Sequence, residues 1–127
     1  MTDREQDLLS ILRIGHETSI RGAGVSLRDA LARTRYRELR ATFGPADLLP
    51  LIRSSATLCN EWLAYSQDKR TTGGWKRTAG GWYLLEDGRV GRLEPKVAPQ
   101  RFESKEEAVA NFVVRELDFW ARIDHAG

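Results

Sequence analysis

The sequence predicts an α+β domain, and three observations carry that prediction. Apolar residues recur at helical intervals from Leu8 to Tyr65. After Gly74 the pattern changes to short runs rich in aromatic and β-branched residues, separated by glycine-containing turns. Beyond Ser104 a helical pattern returns, with a capping signal in front of it. N-terminal helices, a three-stranded antiparallel meander over about residues 75–93, and a C-terminal helix packed on the sheet together make one α+β domain over residues 1–127.

Each element has its own local signal. Thr2 stands where it can cap a helix carrying Leu8, Leu9, Ile11, Leu12 and Ile14, with Gly15 as the stop. His16 to Val25 holds Gly22 and Gly24 and reads as a loop. Ser26 caps Leu27 to Ala32, and Tyr36, Leu39 and Phe43 extend that helix or begin another. Gly44-Pro45 breaks the chain and opens a short helix with Leu48, Leu49, Leu51 and Ile52. Pro50 fits that helix only if it too lies in the first turn, because an interior proline removes a hydrogen bond. Leu58, Cys59, Trp62, Leu63 and Tyr65 mark a further helix that ends near Gln67.

The three expected strands are Trp75 to Thr78, Trp82 to Leu85 and Arg89 to Leu93. Asp87-Gly88 between the second and third is a hairpin signal, since a turn there needs a residue tolerant of positive φ. Pro95 and Pro99 bracket an edge-like segment, because proline cannot donate to a ladder. Ser104-Lys105-Glu106-Glu107 is a capping box, and the helix behind it sets Ala108, Phe112, Leu117, Trp120 and Ile123 on one stripe.

At 127 residues the chain is long enough to bury a core without staples. Its single cysteine, Cys59, excludes an internal disulfide and a multi-cysteine zinc site, and reads as a buried inert thiol suited to a reducing compartment. The acidic, polar start Met1 to Asp7 is unlike a secretory signal, and no run has the length of a membrane span, so the expected location is the cytoplasm. The net charge of +2 is unevenly spread: residues 1–60 carry +2, residues 61–101 carry +3 and residues 102–127 carry −3. Arg21 to Arg40 is the densest basic run, but a continuous helical wheel spreads its arginines around the helix, which favours a solvated surface over a nucleic-acid face.

Reactive groups are sparse. His16 and His125 have no ligand spacing to each other or to Cys59, so no metal is expected. There is no Gly-x-Ser-x-Gly elbow, Gly22 and Gly24 do not follow a strand, and Lys69 to Gly74 lacks the full phosphate-loop pattern. Neither an enzyme nor a cofactor is expected. What stands out instead is the segment from Trp62 to Tyr83, which holds five of the chain's seven Trp and Tyr residues around a charged triplet and two diglycines. Trp62, Tyr65, Trp75 and Trp82 have the size of binding anchors, and Asp68, Lys69 and Arg70 have the charge to orient a partner. The same residues also suit a small core, and an amphipathic helix favours the interior for Trp62 and Trp120.

Trp62-x-x-Tyr65-Ser66-x-Asp68-Lys69-Arg70-Thr71, followed by Gly74-Trp75 and Gly81-Trp82-Tyr83-Leu84, resembles a pattern found in small bacterial immunity proteins encoded beside polymorphic-toxin genes. The tail Phe102-x-Ser104-x-Glu106-Glu107-Ala108, leading into an aromatic-rich helix, is similar to the ending of many of them. The resemblance covers roughly residues 56–123, with Lys76 to Gly80 forming a wider join between the two Gly-Trp pairs than the pattern expects. It implies a cytoplasmic antidote without catalytic activity that binds and occludes one cognate toxin domain. Beside it stand a small nucleic-acid-binding module and a regulatory protein-interaction domain.

Overall fold

The computed structural model describes residues 2–18, 26–71, 82–92 and 98–126, with the side chains of 68–71 and 123–126 outside that description. In chain order the elements are α1 (Asp3–Leu12), α2 (Ile14–Glu17), α3 (Leu27–Arg33), α4 (Tyr36–Leu39) running into a 3-10 turn (Arg40–Thr42), α5 (Pro45–Arg53), α6 (Ala56–Thr71), β1 (Trp82–Leu84), β2 (Arg89–Arg92), β3 (Gln100–Arg101) and α7 (Lys105–Ala126). The three strands form an antiparallel sheet in the order β1-β2-β3, and α7 packs on it. The α+β class and its helix–meander–helix order are as the sequence predicts.

α7 is the organising element. Ala108, Val109, Ala110, Phe112, Val113, Val114, Glu116, Leu117, Phe119 and Ala121 are all buried, so the helix is enclosed on most of its circumference rather than along one stripe. α3, α5, α6 and the sheet each cover a part of it. A fully buried side chain of leucine or phenylalanine size contributes about 1.5–3 kcal/mol, so this helix carries a large share of the burial energy. Trp120, expected in the core, is half-buried at its margin.

Side-chain caps fall where the sequence places them. Thr2 Oγ1 accepts from Glu5 N at 3.2 Å, Ser26 Oγ from Asp29 N at 3.1 Å, and Ser104 Oγ from Glu107 N at 3.1 Å. Each satisfies an amide that has no partner inside its helix. At the start of α5 the bond runs the other way: Asp47 Oδ2 accepts from Gly44 N at 2.9 Å.

Several boundaries differ from expectation, each for a physical reason. α1 stops at Leu12, before Gly15, because the Trp62 indole N–H donates to the Leu12 carbonyl at 2.8 Å and takes one of the acceptors left over at a helix end. Gly15 lies inside α2, where its role is close approach: a Cβ there would stand 2.8 Å from the Trp62 ring. Pro50 is the sixth residue of α5 and not in its first turn. Both Pro50 and Ala46, whose carbonyl loses its helix partner, are exposed, so the missing bond falls on the solvent side of the helix. α6 runs four residues beyond Gln67, through Asp68, Lys69 and Arg70.

The meander lies further along the chain than residues 75–93. The strand expected at Trp75 to Thr78 lies outside the described residues, and the third strand of the sheet is Gln100–Arg101, just past Pro99. β1 and β2 are joined by a four-residue connection, Leu85 to Gly88, in which Gly88 N donates to Leu85 O at 3.1 Å and Gly88 takes φ +84°. Asp87-Gly88 therefore closes the hairpin through the glycine's left-handed backbone. Gly91 of β2 lies beneath Tyr83 of β1, with the phenol occupying the space a Cβ would take. Cys59 is buried, and burial raises its thiol pKa, which favours the protonated, less nucleophilic form.

Two substitutions at glycines should move stability in opposite directions. Gly15→Ala forces a methyl group into the Trp62 indole and is expected to cost about 1–3 kcal/mol. Gly44→Ser meets open space and offers a hydroxyl to the amides of the first turn, for an expected gain of about 0.3 kcal/mol. Urea midpoints of the two variants against the parent check both signs.

Candidate functional site

The residues singled out from the sequence separate into four groups. Trp62 is completely buried, and its ring packs edge-on against Tyr65 at 5.3 Å and Phe112 at 6.1 Å between ring centroids. It is a core residue, so its role as a partner anchor gives way to a structural one. Tyr65 is half-buried, and its hydroxyl is directed inward to Glu116 at 2.8 Å, so it also serves the interior. Asp68, Lys69 and Arg70 stand in the last turn of α6, with their side chains outside the description, and Trp75 lies outside the described residues altogether. Trp82 is the candidate the fold places at a surface, half-buried at the start of β1.

Trp82 borders an open groove of about 640 Å³ between α4 with its 3-10 turn, α7 and β1. Among the described residues four arginines line it: Arg37 and Arg40 from one wall, Arg115 and Arg122 from α7. Tyr36, Asp118 and Ala121 complete the surface between them. The volume falls in the range of ligand-binding clefts, and the side chains are those that dominate binding energy when buried by a partner.

Three of these arginines, Arg37, Arg40 and Arg115, are held in place before any ligand arrives. Arg40 Nε donates to Asp118 Oδ1 at 2.9 Å while its other arm reaches the Phe43 carbonyl at 2.7 Å. Arg37 closes a two-pronged bond on the Ala121 carbonyl, at 3.3 Å from Nε and 2.8 Å from Nη2. The Arg115 guanidinium lies 5.0 Å from the centre of the Trp82 ring and 5.8 Å from that of Phe102, and it donates to Gln100 at 2.7 Å. Arg92, cross-strand from Trp82, adds a second guanidinium at 5.6 Å from the same ring. Partial burial lowers the Arg115 pKa from its usual value, and the group still carries its charge at neutral pH.

Tyr36 anchors the groove from below. Its hydroxyl donates to Asp118 Oδ1 at 2.7 Å, and its ring is 1% exposed. Burial first, and then the hydrogen bond and charge of Asp118, push the phenol well above its usual pKa.

Trp82 itself is fixed by a buried polar network around Glu116, which has no exposed surface. Its carboxyl oxygens accept from the Tyr65 hydroxyl at 2.8 Å, from Trp120 Nε1 at 3.1 Å and from the backbone N–H of Trp82 at 3.2 Å. Two positions along, Ser66 Oγ accepts from Leu84 N at 2.8 Å and donates to Leu84 O at 3.3 Å. Because Trp82 and Leu84 pair with Arg92 and Val90 in register, their amides point away from β2. Ser66 and Glu116 thus take up these outward groups of β1, where an uncovered edge would invite association.

Sequence reasoning missed most of the groove. Arg37 and Arg40 belong to the basic run, but a single helical wheel misplaces them. Arg35 adopts φ +54°, which separates α3 from α4 and turns the following residues onto α7. The signals within reach were Arg115, Asp118 and Arg122 at i, i+3 and i+7 on one helix face, and a glutamate at 116 between aromatic and aliphatic neighbours.

Among the described residues no three or more metal-ligating side chains cluster, and no helix is long and apolar enough to cross a membrane. His16 pairs with Glu61 at 2.7 Å, away from the groove. No protein family profile matches the chain, and neither does any characterised protein or solved structure compared with it.

Glu116→Gln is expected to cost about 1–3 kcal/mol, because one arm of the amide turns N–H donors toward groups that already donate. It should also change the intrinsic fluorescence of Trp82 and Trp120, and a variant with parental stability and emission would contradict the network. A second expectation concerns alkaline pH. The phenols of Tyr36 and Tyr65 both have folded-state pKa values raised above the ordinary 10.0, Tyr65 through burial and then the charge of Glu116. Their contribution is complete below about pH 10 and is lost as the pH rises, at about 1.4 kcal/mol per pH unit for each group. Tyr36→Phe should therefore lower stability by about 0.5–1.5 kcal/mol near neutrality and lose less of it on going above pH 10. Urea unfolding of parent and variant across that range reads the difference in slope.

Proposed function

We propose that this protein is a non-catalytic antidote that binds one cognate bacterial toxin domain in the cytoplasm and occludes it. The observation that carries the reading is the groove at Trp82, where arginine and aromatic side chains, the types that dominate protein interfaces, are pre-positioned on rigid elements. The resemblance of residues 56–123 to immunity proteins supports the same role. Trp82 is the proposed anchor, and Asp68, Lys69, Arg70 and Trp75 remain proposed contacts on the neighbouring stretch of chain. Trp62 and Tyr65 support that surface from inside.

Occlusion needs an interface of about 1,600 Å² in total, which one face of a domain this size supplies. Binding without turnover also fixes the stoichiometry: protection saturates at one antidote per toxin and does not grow with incubation time. A second reading, binding to nucleic acid, is favoured by the four arginines gathered in one groove, and a salt-dependent mobility shift separates it from the first.

Co-expression with a toxin encoded next to this gene, followed by gel filtration, tests the proposal. Survival of the cells and a stable one-to-one complex are expected. Equal killing with and without this protein, and no complex on the column, would overturn it.

A further inference from the structure

We propose that the groove receives an acidic, extended segment of the partner protein, with carboxylates against Arg37, Arg115 and Arg122 and an apolar side chain against Trp82. This rests on the antidote reading and names the chemistry that the partner must present.

Charge complementarity is the first argument. Among the described residues that line the groove, four are arginines and one, Asp118, carries a carboxylate, whose Oδ1 is already bound by Tyr36 at 2.7 Å and Arg40 at 2.9 Å. A site built this way leaves positive potential for an incoming anion. Guanidinium groups present paired N–H donors in a plane, the geometry that a carboxylate accepts with both oxygens. Arg122 is exposed and has no hydrogen-bond or ion-pair partner among the described residues, so it is the arm with the most to gain.

Spacing is the second argument. Arg115 and Arg122 are separated by two turns of α7, about 10.5 Å along the axis. A polyproline II segment rises about 3.1 Å per residue with three residues per turn, so carboxylates three residues apart lie on one face about 9.3 Å apart, close to that separation. A single small anion reaches one of these arginines, whereas a polyproline II segment of the partner laid along α7 reaches both. Pre-positioning of Arg37 and Arg40 by the Ala121 carbonyl and Asp118 limits the side-chain ordering that binding requires.

The aromatic lining argues for a peptide over a nucleic acid. Single-stranded nucleic acid gains affinity by stacking bases on open aromatic faces. The Trp82 ring already holds the guanidiniums of Arg115 and Arg92 within 5.0 Å and 5.6 Å, and a stacked base competes with them. An aliphatic side chain at the ring's margin does not.

The test uses the full chain and a fluorescein-labelled peptide of about eight residues, with glutamate at every third position and leucine and glycine between, spanning about 25 Å as a polyproline II segment. Fluorescence anisotropy at low salt should show saturable binding that falls at least about tenfold with Arg122→Glu and with Arg37→Gln. It should be unchanged by Arg53→Glu, an exposed arginine outside the groove, and absent for the same peptide carrying glutamine in place of glutamate. Because Arg37 also bonds a backbone carbonyl, Arg122→Glu is the deciding variant, with circular dichroism confirming that it folds. No saturable binding, equal binding by the glutamine peptide, undiminished binding by Arg122→Glu, or tighter groove-dependent binding of an oligouridine of similar length would each overturn the proposal. Failure of the groove and failure of the antidote reading are separable. A toxin complex that forms equally well with Arg122→Glu removes the groove and keeps the antidote, whereas absence of any toxin complex removes the antidote while the peptide titration still reads the groove.

Discussion

A carboxyl group without exposed surface, on the helix through the middle of the protein, must have its hydrogen-bonding capacity met by neighbours. At Glu116 those neighbours come from three different elements: Tyr65 from α6, Trp120 from one turn further along α7, and the first amide of β1. Leaving such a group unmet in the interior costs several times what a single satisfied bond contributes. The position of α6 against α7, and of the sheet against both, is therefore constrained by one side chain. Hydrophobic burial around Phe112 and Leu117 supplies most of the energy and little of this directional information.

The same network explains why a surface feature can be rigid on so small a sheet. β1 has only three residues, and its outer edge has side-chain partners in Ser66 and Glu116. That arrangement fixes Trp82 at the boundary between core and groove. Arg115 then lies over its ring, and Arg92 is brought beside it by strand pairing. On the opposite wall, Tyr36 links the interior to Asp118, and Asp118 positions Arg40. Interior and groove are thus joined through short chains of hydrogen bonds rather than through loops.

The aromatic segment that draws attention in the sequence divides along this boundary. Trp62 and Tyr65 belong to the α6–α7 interface and Trp82 to the groove, although all three read alike as candidate anchors. The interior role of Trp62 is a matter of packing against Gly15 and of a bond to the Leu12 carbonyl, some fifty positions away in the chain. No local pattern around Trp62 encodes either contact. Pro50 makes the converse point, because a strong local rule against proline in a helix interior yields where the lost bond faces water.

What the sequence determined by itself were the features governed by near neighbours. The caps at Thr2, Ser26 and Ser104 and the Asp87-Gly88 hairpin depend on hydrogen bonds and backbone angles within a few residues. Element order and the α+β class follow from them. What only the tertiary structure decided was which polar residues lie inside and which charges share a surface. Glu116 and Ser66 are buried because β1 requires acceptors and donors along its outer edge. Arg37, Arg40, Arg115 and Arg122 form one groove because a left-handed residue at Arg35 redirects the chain onto α7. Both depend on contacts between residues far apart in the chain, which periodicity and spacing do not register.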